Sequence, residues 1–379
     1  MADRYWVGGT ATWDATAGSK WATTSGGTGG EAVPTAADEV FFDANSGAVT
    51  VTTSGTTTDV CRSINFTGFT GTFSHAASTT VLIGDATAGT GNVALVFDAG
   101  MGYTLGNATT SDWNFVSTST TLQTVDFAGI TVGDVTFNAA GGNWALTTGV
   151  VQGTTSRLNL SLGTLHVDGT TDNAGLTHTM GALVSNGTGT RVLTLGNSTI
   201  NLTGTDSGNG PINWNNNANM TLTAHTATFV ATANGALIRN GDGGGFQTFN
   251  FGDFTFSGVS TCSLRFGRCS FTRFRVIGAV TTVTTRGSFT TAINPASSGL
   301  GNGTNVVTFT PSAGSSTFSC TSGTFSWDYV SLTNIPSTGG AAFYAGANST
   351  DGGGNTGWTF TAPPGGTTYP GYYGSGGYF

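Results

Sequence analysis

The sequence predicts an all-β protein, and specifically a right-handed parallel β-helix. First, apolar residues come in short, often alternating runs such as SINFTGFTGTF (63–73), which indicate strands with one buried face. Second, these runs end at Gly or Asn, the residues of tight turns, and Gly alone contributes 61 of the 379 residues. Third, helical periodicity of the apolar residues is essentially absent.

The runs resemble one another at irregular intervals. YTLGNATTSDWNF (103–115) shares its Leu-Gly-Asn-x-Thr core with LTLGNSTINLTG (193–204), and a Trp-Asn pair follows each core. Irregular strand-turn-strand repeats are typical of a solenoid, in which each coil buries its apolar face against the next coil. Tandem antiparallel β-sandwiches also place turn residues roughly every 8–12 positions and are the alternative.

Composition divides the chain into four segments. Residues 1–43 hold three of the eight Trp and are expected to form an N-terminal cap over the open end of the first coil. Residues 44–335 are expected to form the β-helical rod, and residues 336–361 its terminal coil. Residues 362–379 form a low-complexity tail that is rich in Gly and Tyr.

Charge and cysteine content argue against several classes of protein. Charged residues make up 8% of the chain, against about 25% in typical globular proteins. The net charge of −8 disfavours a nucleic-acid surface, and no apolar run approaches the length of about 18 residues that spans a membrane. Buried, reduced thiols are favoured over a Cys262–Cys269 disulfide, and the cysteine spacings fit no zinc site. We therefore expect no cofactor, no metal and no membrane insertion.

One stretch, CSLRFGRCSFTRFRVIG (262–278), concentrates positive charge between Phe residues. Its functional interpretation is a partner-binding contact for anionic glycans, phosphates or an acidic neighbouring protein, because arginine binds such groups bidentately. The structural alternative is a solvated strand face whose arginine stems cover the Phe rings. A protein partner is favoured over nucleic acid. The arginine stripe consists of Arg265, Arg268, Arg273 and Arg275, and Arg239 and Arg286 extend the cationic zone.

The segment YAGANSTDGGGNTGW (344–358) suggests a calcium loop, since Asn348, Asp351 and Asn355 offer oxygen ligands. It lacks the bidentate Glu of an EF-hand and is not repeated as calcium-binding nonapeptides are. A tight turn whose Asn and Asp side chains bond their own backbone is the favoured interpretation.

Paired aspartates are the catalytic candidates, because glycosidases need two carboxyl groups roughly 5–10 Å apart. Asp112 and Asp134 lie about one coil apart, and Asp168 and Asp172 lie near His166. Aspartate is abundant in turns, however, and nothing in the sequence ties these residues to a shared cleft. The histidines show no metal-ligand spacing, and no nucleophile elbow or phosphate-binding loop is present. We expect a protein without catalytic residues.

The tail segment, PPGGTTYPGYYGSGGYF (363–379), cannot bury enough surface to fold alone. Its aromatic side chains offer a large contact area with few rotatable bonds, which suits them to an interface. We expect the tail to dock on a neighbouring subunit or another protein, with folding back over its own last coil as the alternative. The expected anchors are Tyr369, Tyr372, Tyr373, Tyr378 and Phe379.

The chain opens MADRYWVGGTATWD, without a secretion signal, although its Gly/Thr-rich, charge-poor composition is typical of extracellular proteins. A bacteriophage virion protein reconciles the two, because it is assembled in the host cytoplasm and works outside after lysis. RYWVGGTATWD, VPTAADEVFFD and YAGANSTDGGGNTGW resemble segments of the Gly/Thr-rich minor tail and surface proteins of tailed bacteriophages. The resemblance covers roughly residues 4–75 and 190–362.

The resemblance implies a β-helical structural protein of the virion, a homotrimer in the tail tip or fibre that contributes to host adsorption. Its partners would be other virion proteins and a glycan or protein receptor on the host surface. The alternatives are a capsid decoration protein, a glycan-cleaving tailspike, and a bacterial surface adhesin exported by a non-classical route.

Overall fold

The computed structural model describes residues 2–13, 18–55, 58–170, 175–207, 209–223, 225–233, 236–244, 247, 249–257, 261–277, 282–291 and 305–364. At 236–238, 241–244, 264–269 and 286–291 it describes the backbone alone. Strands account for 48% of the chain and helices for 2%, so the predicted all-β class is confirmed. No helix within these residues is long and apolar enough to cross a membrane.

The first part of the chain forms short strands joined by turns, with 3₁₀ turns at Ala44–Ser46 and Thr90–Asn92. Its strands are β1 Asp3–Trp6, β2 Ala11–Thr12, β3 Trp21–Ala22, β4 Glu39–Phe41, β5 Thr50–Thr52, β6 Asp59–Cys61, β7 Ser63–Asn65, β8 Thr72–His75, β9 Thr79–Ile83, β10 Val93–Val96, β11 Gly102–Leu105, β12 Ser111–Phe115, β13 Gln123–Asp126, β14 Thr131–Val132, β15 Val135–Leu146, β16 Val151–Gln152, β17 Arg157–His166, β18 Thr177–Met180, β19 Ala182–Val184, β20 Arg191–Thr194 and β21 Thr199–Leu202.

The second part continues in the same manner. Its strands are β22 Ile212–Asn216, β23 Met220–Leu222, β24 Thr228–Ala231, β25 Ala236–Gly244, β26 Phe249–Asn250, β27 Asp253–Ser257, β28 Thr261–Phe271, β29 Arg273–Ile277, β30 Thr282–Thr291, β31 Val307–Pro311, β32 Phe318–Cys320, β33 Thr324–Ser326, β34 Val330–Leu332, β35 Ser337–Thr338, β36 Ala342–Tyr344, β37 Thr350–Asp351 and β38 Trp358–Thr359.

The chain divides into two compact units. Unit 1 comprises residues 1–200 and 219–225, and unit 2 comprises residues 201–218 and 226–379. The strand registers that the structure describes are parallel in both units, apart from the antiparallel pair β1–β3. Tandem β-sandwiches consist of antiparallel sheets, so this pairing does not fit that alternative.

In unit 1, apolar residues lie in register on successive parallel strands. Trp113 pairs with Val135, Val135 with Leu158 and Leu158 with Leu183, so the partner recurs after 22, 23 and 25 residues. All four side chains are buried. Strands β2, β5, β8 and β11 form a further parallel sheet in this unit. Each strand therefore places its apolar residues above those of the preceding strand, which gives a continuous core.

An aromatic cluster occupies the start of unit 1. The rings of Trp6 and Trp13 lie 5.0 and 5.2 Å from that of Trp21, in edge-to-face contact, and Phe42 lies 6.0 Å from all three. Phe42 also stacks on Phe66 at 4.8 Å, and the three Trp are at most 1% exposed. These contacts tie residues 1–43 to the following strands, while the role of that segment as a cap stays a prediction.

Unit 2 has its own apolar ladders. Cys262 pairs with Val283, Val283 with Phe309 and Phe309 with Leu332, after 21, 26 and 23 residues. On a separate set of strands, β24, β27 and β29 pair in parallel through their Phe residues. Burial of these ladders explains why Thr, Val and Phe dominate the strand positions.

Candidate functional site

The members of the arginine stripe are divided between two strands that belong to different sheets. Arg273 and Arg275 lie on β29, in register with Asp253 and Thr255 of β27. Oδ2 of Asp253 is 3.4 Å from Nη1 of Arg273 and 3.7 Å from Nη2 of Arg275, and the two arginine side chains are 35% and 39% exposed. Phe274, between them, is buried. This half of the stripe is a solvated face that shares one carboxylate.

The other half of the stripe lies on β28. Arg265 is in register with Arg239 of β25 on one side and with Arg286 of β30 on the other. Arg268 is in register with Ser288. The backbone thus places three arginines at the same level of three successive parallel strands, and we call Arg239, Arg265 and Arg286 the arginine ladder.

Arg239 faces away from the interior. The next residue, Asn240, is fully buried, and its Oδ1 accepts a hydrogen bond of 2.7 Å from Nδ2 of Asn217. Successive residues of a strand point to opposite faces, which places Arg239 on the outer face. Nε of Arg239 is covered but has no hydrogen-bond partner in the part of the chain that the structure describes.

Five of the predicted partner-binding residues lie outside the described residues. These are Tyr369, Tyr372, Tyr373, Tyr378 and Phe379. Docking of the tail stays a prediction.

The paired aspartates Asp112 and Asp134 come together with an arginine in unit 1. Asp112 lies on β12, Asp134 directly precedes β15, and Arg157 begins β17. These three residues directly precede the residues that pair with one another on the parallel strands, Trp113, Val135 and Leu158. Oδ1 of Asp134 accepts a hydrogen bond from the Arg157 backbone N–H at 2.8 Å, and its Oδ2 accepts two from the guanidinium at 2.9 and 2.6 Å.

Asp112 differs from Asp134 in having a buried oxygen that accepts no hydrogen bond from the described residues. Its Oδ1 is buried and has no hydrogen-bond partner among the described residues. Burial raises the pKa of Asp112 to about 6, the Asp134 carboxylate raises it too, and the Arg157 charge opposes both. A glycosidase pair needs its second carboxylate free to attack the sugar or to activate water. Asp134 is instead held by Arg157 through both of its oxygens, so the cluster is an ion pair beside a partly desolvated acid.

Among the residues that the structure describes, the other catalytic candidates form no recognised catalytic arrangement. Asp168 is fully buried, Asp172 lies outside the described residues, and Nε2 of His166 is 3.2 Å from Oδ1 of Asn143. His75 and His178 are also buried, and burial lowers the pKa of each to about 4. Nε2 of His75 lies 3.0 Å from the Thr79 carbonyl oxygen, and Nε2 of His178 lies 2.8 Å from that of Val167.

The side-chain oxygens of the calcium-loop candidate accept hydrogen bonds both within the segment and from Ile335, which lies outside it. Oδ1 of Asp351 accepts hydrogen bonds from the Gly353 backbone N–H and from Nδ2 of Asn355. Oδ1 of Asn355 accepts another from the Ile335 backbone N–H. Among the residues that the structure describes, no group of three His, Cys, Asp or Glu could hold a metal ion. The turn interpretation holds for Asp351. Asn348 and Asn355 also bond residues outside the segment, at Asp328 and Ile335.

Sequence reasoning missed a buried ion network in unit 1. Nη1 of Arg62 is 3.7 Å from Oε1 of Glu39, and Nη2 is 3.5 Å from Oδ2 of Asp85. The Arg62 and Glu39 side chains are 3% and 4% exposed, and Thr90 donates two hydrogen bonds to Glu39. The isolated charges of the sequence carry no signal for this network, because its members are 23 to 51 residues apart.

A shallow groove of about 390 Å³ crosses the strands of unit 1 between residues 140 and 192. Gly, Ala, Thr, Leu and Val line it, and none of the lining residues has an ionisable side chain. The groove therefore offers neither an acid nor a base.

Comparison of the chain with protein-family models, with curated proteins and with solved structures finds no match.

Proposed function

We propose that the chain is a structural protein of a tailed-bacteriophage particle, in the tail tip or fibre region, where it contributes to host adsorption. The observation that carries the proposal is the recurrence of buried apolar partners on parallel strands after 22, 23 and 25 residues. Parallel ladders of this kind suit a structural protein, because each strand needs only its neighbours to bury its apolar face.

The proposal includes a finer fold. Residues 44–335 form a right-handed parallel β-helix, closed by residues 1–43 at one end and by the terminal coil, residues 336–361, at the other. Parallel pairing supports this, because it places the successive layers in the same direction. The chain assembles as a homotrimer, as expected from the resemblance to phage tail proteins.

The state of the acidic residues supports a structural role over an enzymatic one. Asp134 is committed to Arg157. Asp98 and Asp126 accept backbone hydrogen bonds at turns, as does Asp351. Aspartates that stabilise turns are not available as a general acid or a nucleophile.

Immunogold labelling of purified phage particles tests the proposed location. An antibody against the chain should place gold at the tail tip or along the fibres. Gold spread over the head would identify a capsid decoration protein instead. Particles without label, together with label on uninfected cells, would favour the surface adhesin and contradict the virion proposal.

A reducing-end assay tests the enzymatic alternative. Incubation of the purified protein with host surface polysaccharide should release no new reducing ends. Release that Asp112→Asn or Asp134→Asn abolishes would identify a glycan-cleaving tailspike. An unrelated β-protein purified in the same way controls for contaminating hydrolases.

A further inference from the structure

A bulge in β15 shapes the shallow groove of unit 1. Within the ladder of β15 and β17, Gly163 alone lies opposite residues 139–142. A Cβ at Gly163 would lie 2.7 Å from two carbonyl oxygens of this bulge, and the φ of Gly163 is +92°. Only glycine fits such a position. Bulges are enriched beside binding and active sites, where they reshape the surface of a sheet.

The lining of the groove is apolar and uncharged. Half-buried Leu162 and Val192 and exposed Ala140 supply methyl groups, and Thr164 and Thr190 supply two hydroxyl groups. The volume of about 390 Å³ lies at the small end of the range of roughly 300–1,000 Å³ that is typical of ligand sites. A charged group would lose its hydration here without gaining a partner. The groove therefore suits an uncharged occupant with a few apolar rings and hydroxyl groups.

The tail segment has the matching chemistry. Residues 363–379 contain five aromatic residues and no charged side chain. A tyrosine ring offers apolar area, and its hydroxyl group seeks a hydrogen-bond partner when it is buried. Residues 365–379 lie outside the described residues. Fifteen residues span up to about 50 Å when extended, which is enough to reach a neighbouring subunit.

We infer that the groove of one copy of the chain binds the tail segment of a neighbouring copy. Tyrosine rings of the tail pack against Leu162 and Val192, and a tyrosine hydroxyl bonds Thr164 or Thr190. Such a contact is heterologous, because each copy supplies one groove and one tail. Three copies that close it into a ring leave no groove and no tail without a partner. The inference rests on the homotrimer of the proposed function and names the contact that joins its subunits.

Photo-crosslinking of the full chain tests this contact. The variant Tyr373→p-benzoylphenylalanine carries a photoreactive aromatic group within the tail segment. Irradiation at micromolar concentration should join two chains, which a denaturing gel shows as a band at twice the chain mass of 38.2 kDa. Mass spectrometry should locate the adduct at residues that line the groove.

A groove-filling substitution and a matched control are made in the same photoreactive chain. T190W places an indole in the groove, whereas T131W places one on β14, which belongs to another sheet of unit 1. T190W should lower the yield of joined chains by about tenfold or more, because the tail is excluded. T131W should keep the yield within about twofold. Both positions are exposed, so both variants should keep the melting temperature of the wild type.

A synthetic peptide of residues 363–379 tests the groove without altering it, and covers the case in which T190W fails to fold. Added in excess, this peptide should suppress the joining of chains. The same peptide with serine in place of its five aromatic residues should not.

Adducts confined to single chains, adducts outside the groove, or equal yields from T190W and T131W would each overturn the inference. Equal suppression by the two peptides would overturn it as well. None of these results alters the immunogold labelling, so a failure of the contact is distinguishable from a failure of the proposed location.

Discussion

At the scale of single residues, Asp112 and Asp134 have the same chemistry but opposite effects on stability. Asp134 accepts three hydrogen bonds from Arg157, whereas Asp112 has a buried oxygen without a partner among the described residues. Ionisation is therefore costly for Asp112, whose pKa burial raises to about 6.

Replacing Asp112 by Asn should stabilise the protein at neutral pH. The pKa of Asp112 is raised to about 6 in the folded state, above the ordinary value of about 3.9. The folded state thus binds more protons than the unfolded state between about pH 4 and 6. The stability lost by ionising the buried carboxyl group reaches its full value above about pH 6. We expect D112N to gain on the order of 1 kcal/mol in free energy of unfolding above pH 6. Urea denaturation across this pH range measures the gain, which should vanish below about pH 4.

The matched control for this experiment is D134N. It weakens the ion pair with Arg157 and should cost about 1–3 kcal/mol at neutral pH. A loss of stability in D112N comparable to that in D134N would contradict the described difference between the two carboxyl groups.

Buried His178 should make the protein sensitive to mild acid. The Val150 backbone N–H donates to Nδ1 of His178, and Nε2 lies 2.8 Å from the Val167 carbonyl oxygen, so the neutral ring is satisfied. Burial lowers its pKa to about 4, so the unfolded state alone takes up a proton between about pH 6.5 and 4. This contribution to stability is complete above pH 6.5 and is lost as the pH falls, at about 1.4 kcal/mol per pH unit.

Comparison of H178Q with H166Q isolates this effect. His166 is only half-buried, so H166Q is the control for the loss of an imidazole that the interior does not enclose. H178Q should have a flatter slope between pH 4 and 6.5, whatever its stability at pH 7. Parallel slopes in all three proteins would contradict the assignment.

At the scale of elements, close approach between neighbouring strands leaves no room for a side chain at Gly84, the residue after β9. A Cβ there would lie 2.2 Å from the Ser117 backbone N and 2.6 Å from its Cα, and φ is +137°. Backbone atoms cannot give way as a flexible side chain can. Gly84 therefore sets the distance at which the chain after β12 passes the end of β9.

Gly84→Ala should destabilise unit 1 much more than Gly129→Ala. Gly129 also has a positive φ, +74°, but a Cβ there would meet nothing within 4 Å. Both substitutions lose the conformational advantage of glycine, at about 1 kcal/mol. The steric conflict should add at least about 2 kcal/mol in G84A. Thermal unfolding followed by circular dichroism compares the two, and equal losses would show that the strands can separate at low cost.

At the scale of the whole molecule, the expected homotrimer is tested in solution. Multi-angle light scattering of the purified protein at micromolar concentration should give three times the chain mass of 38.2 kDa. Homo-oligomers of this kind adopt closed symmetry, so a defined mass is expected instead of a distribution. A monomer across the whole concentration range would contradict self-association of the isolated chain.

Deletion of residues 363–379 tests the expected docking tail. If the tail docks on a neighbour, the truncated protein should keep the melting temperature of the full chain but fail to enter phage particles. The measurement is the amount of the chain in purified particles, by quantitative mass spectrometry against another virion protein. Normal incorporation with a lower melting temperature would assign the tail to a cap on its own chain.

The sequence predicted the class of the fold because strand and turn signals are local. Alternation in SINFTGFTGTF (63–73) corresponds to β7 and β8 with Phe66, Phe69 and Phe73 buried. The turn at Asp351 was also predictable, since its side chain accepts a hydrogen bond from a backbone N–H two residues away. Both features need only neighbours in sequence.

Tertiary structure alone decided which distant residues meet. Arg157 bonds Asp134, which lies 23 residues earlier in the chain. Arg265 is in register with Arg239 and Arg286, although the sequence places it in a stripe with Arg273. The number of residues from one strand to its parallel partner varies from 15 to 40 among the described pairs, and register shifts occur within the ladder of β15 and β17. One residue of slip moves every side chain to the other face. Register therefore depends on the lengths of all the turns and bulges between two strands. Composition and local periodicity do not specify those lengths.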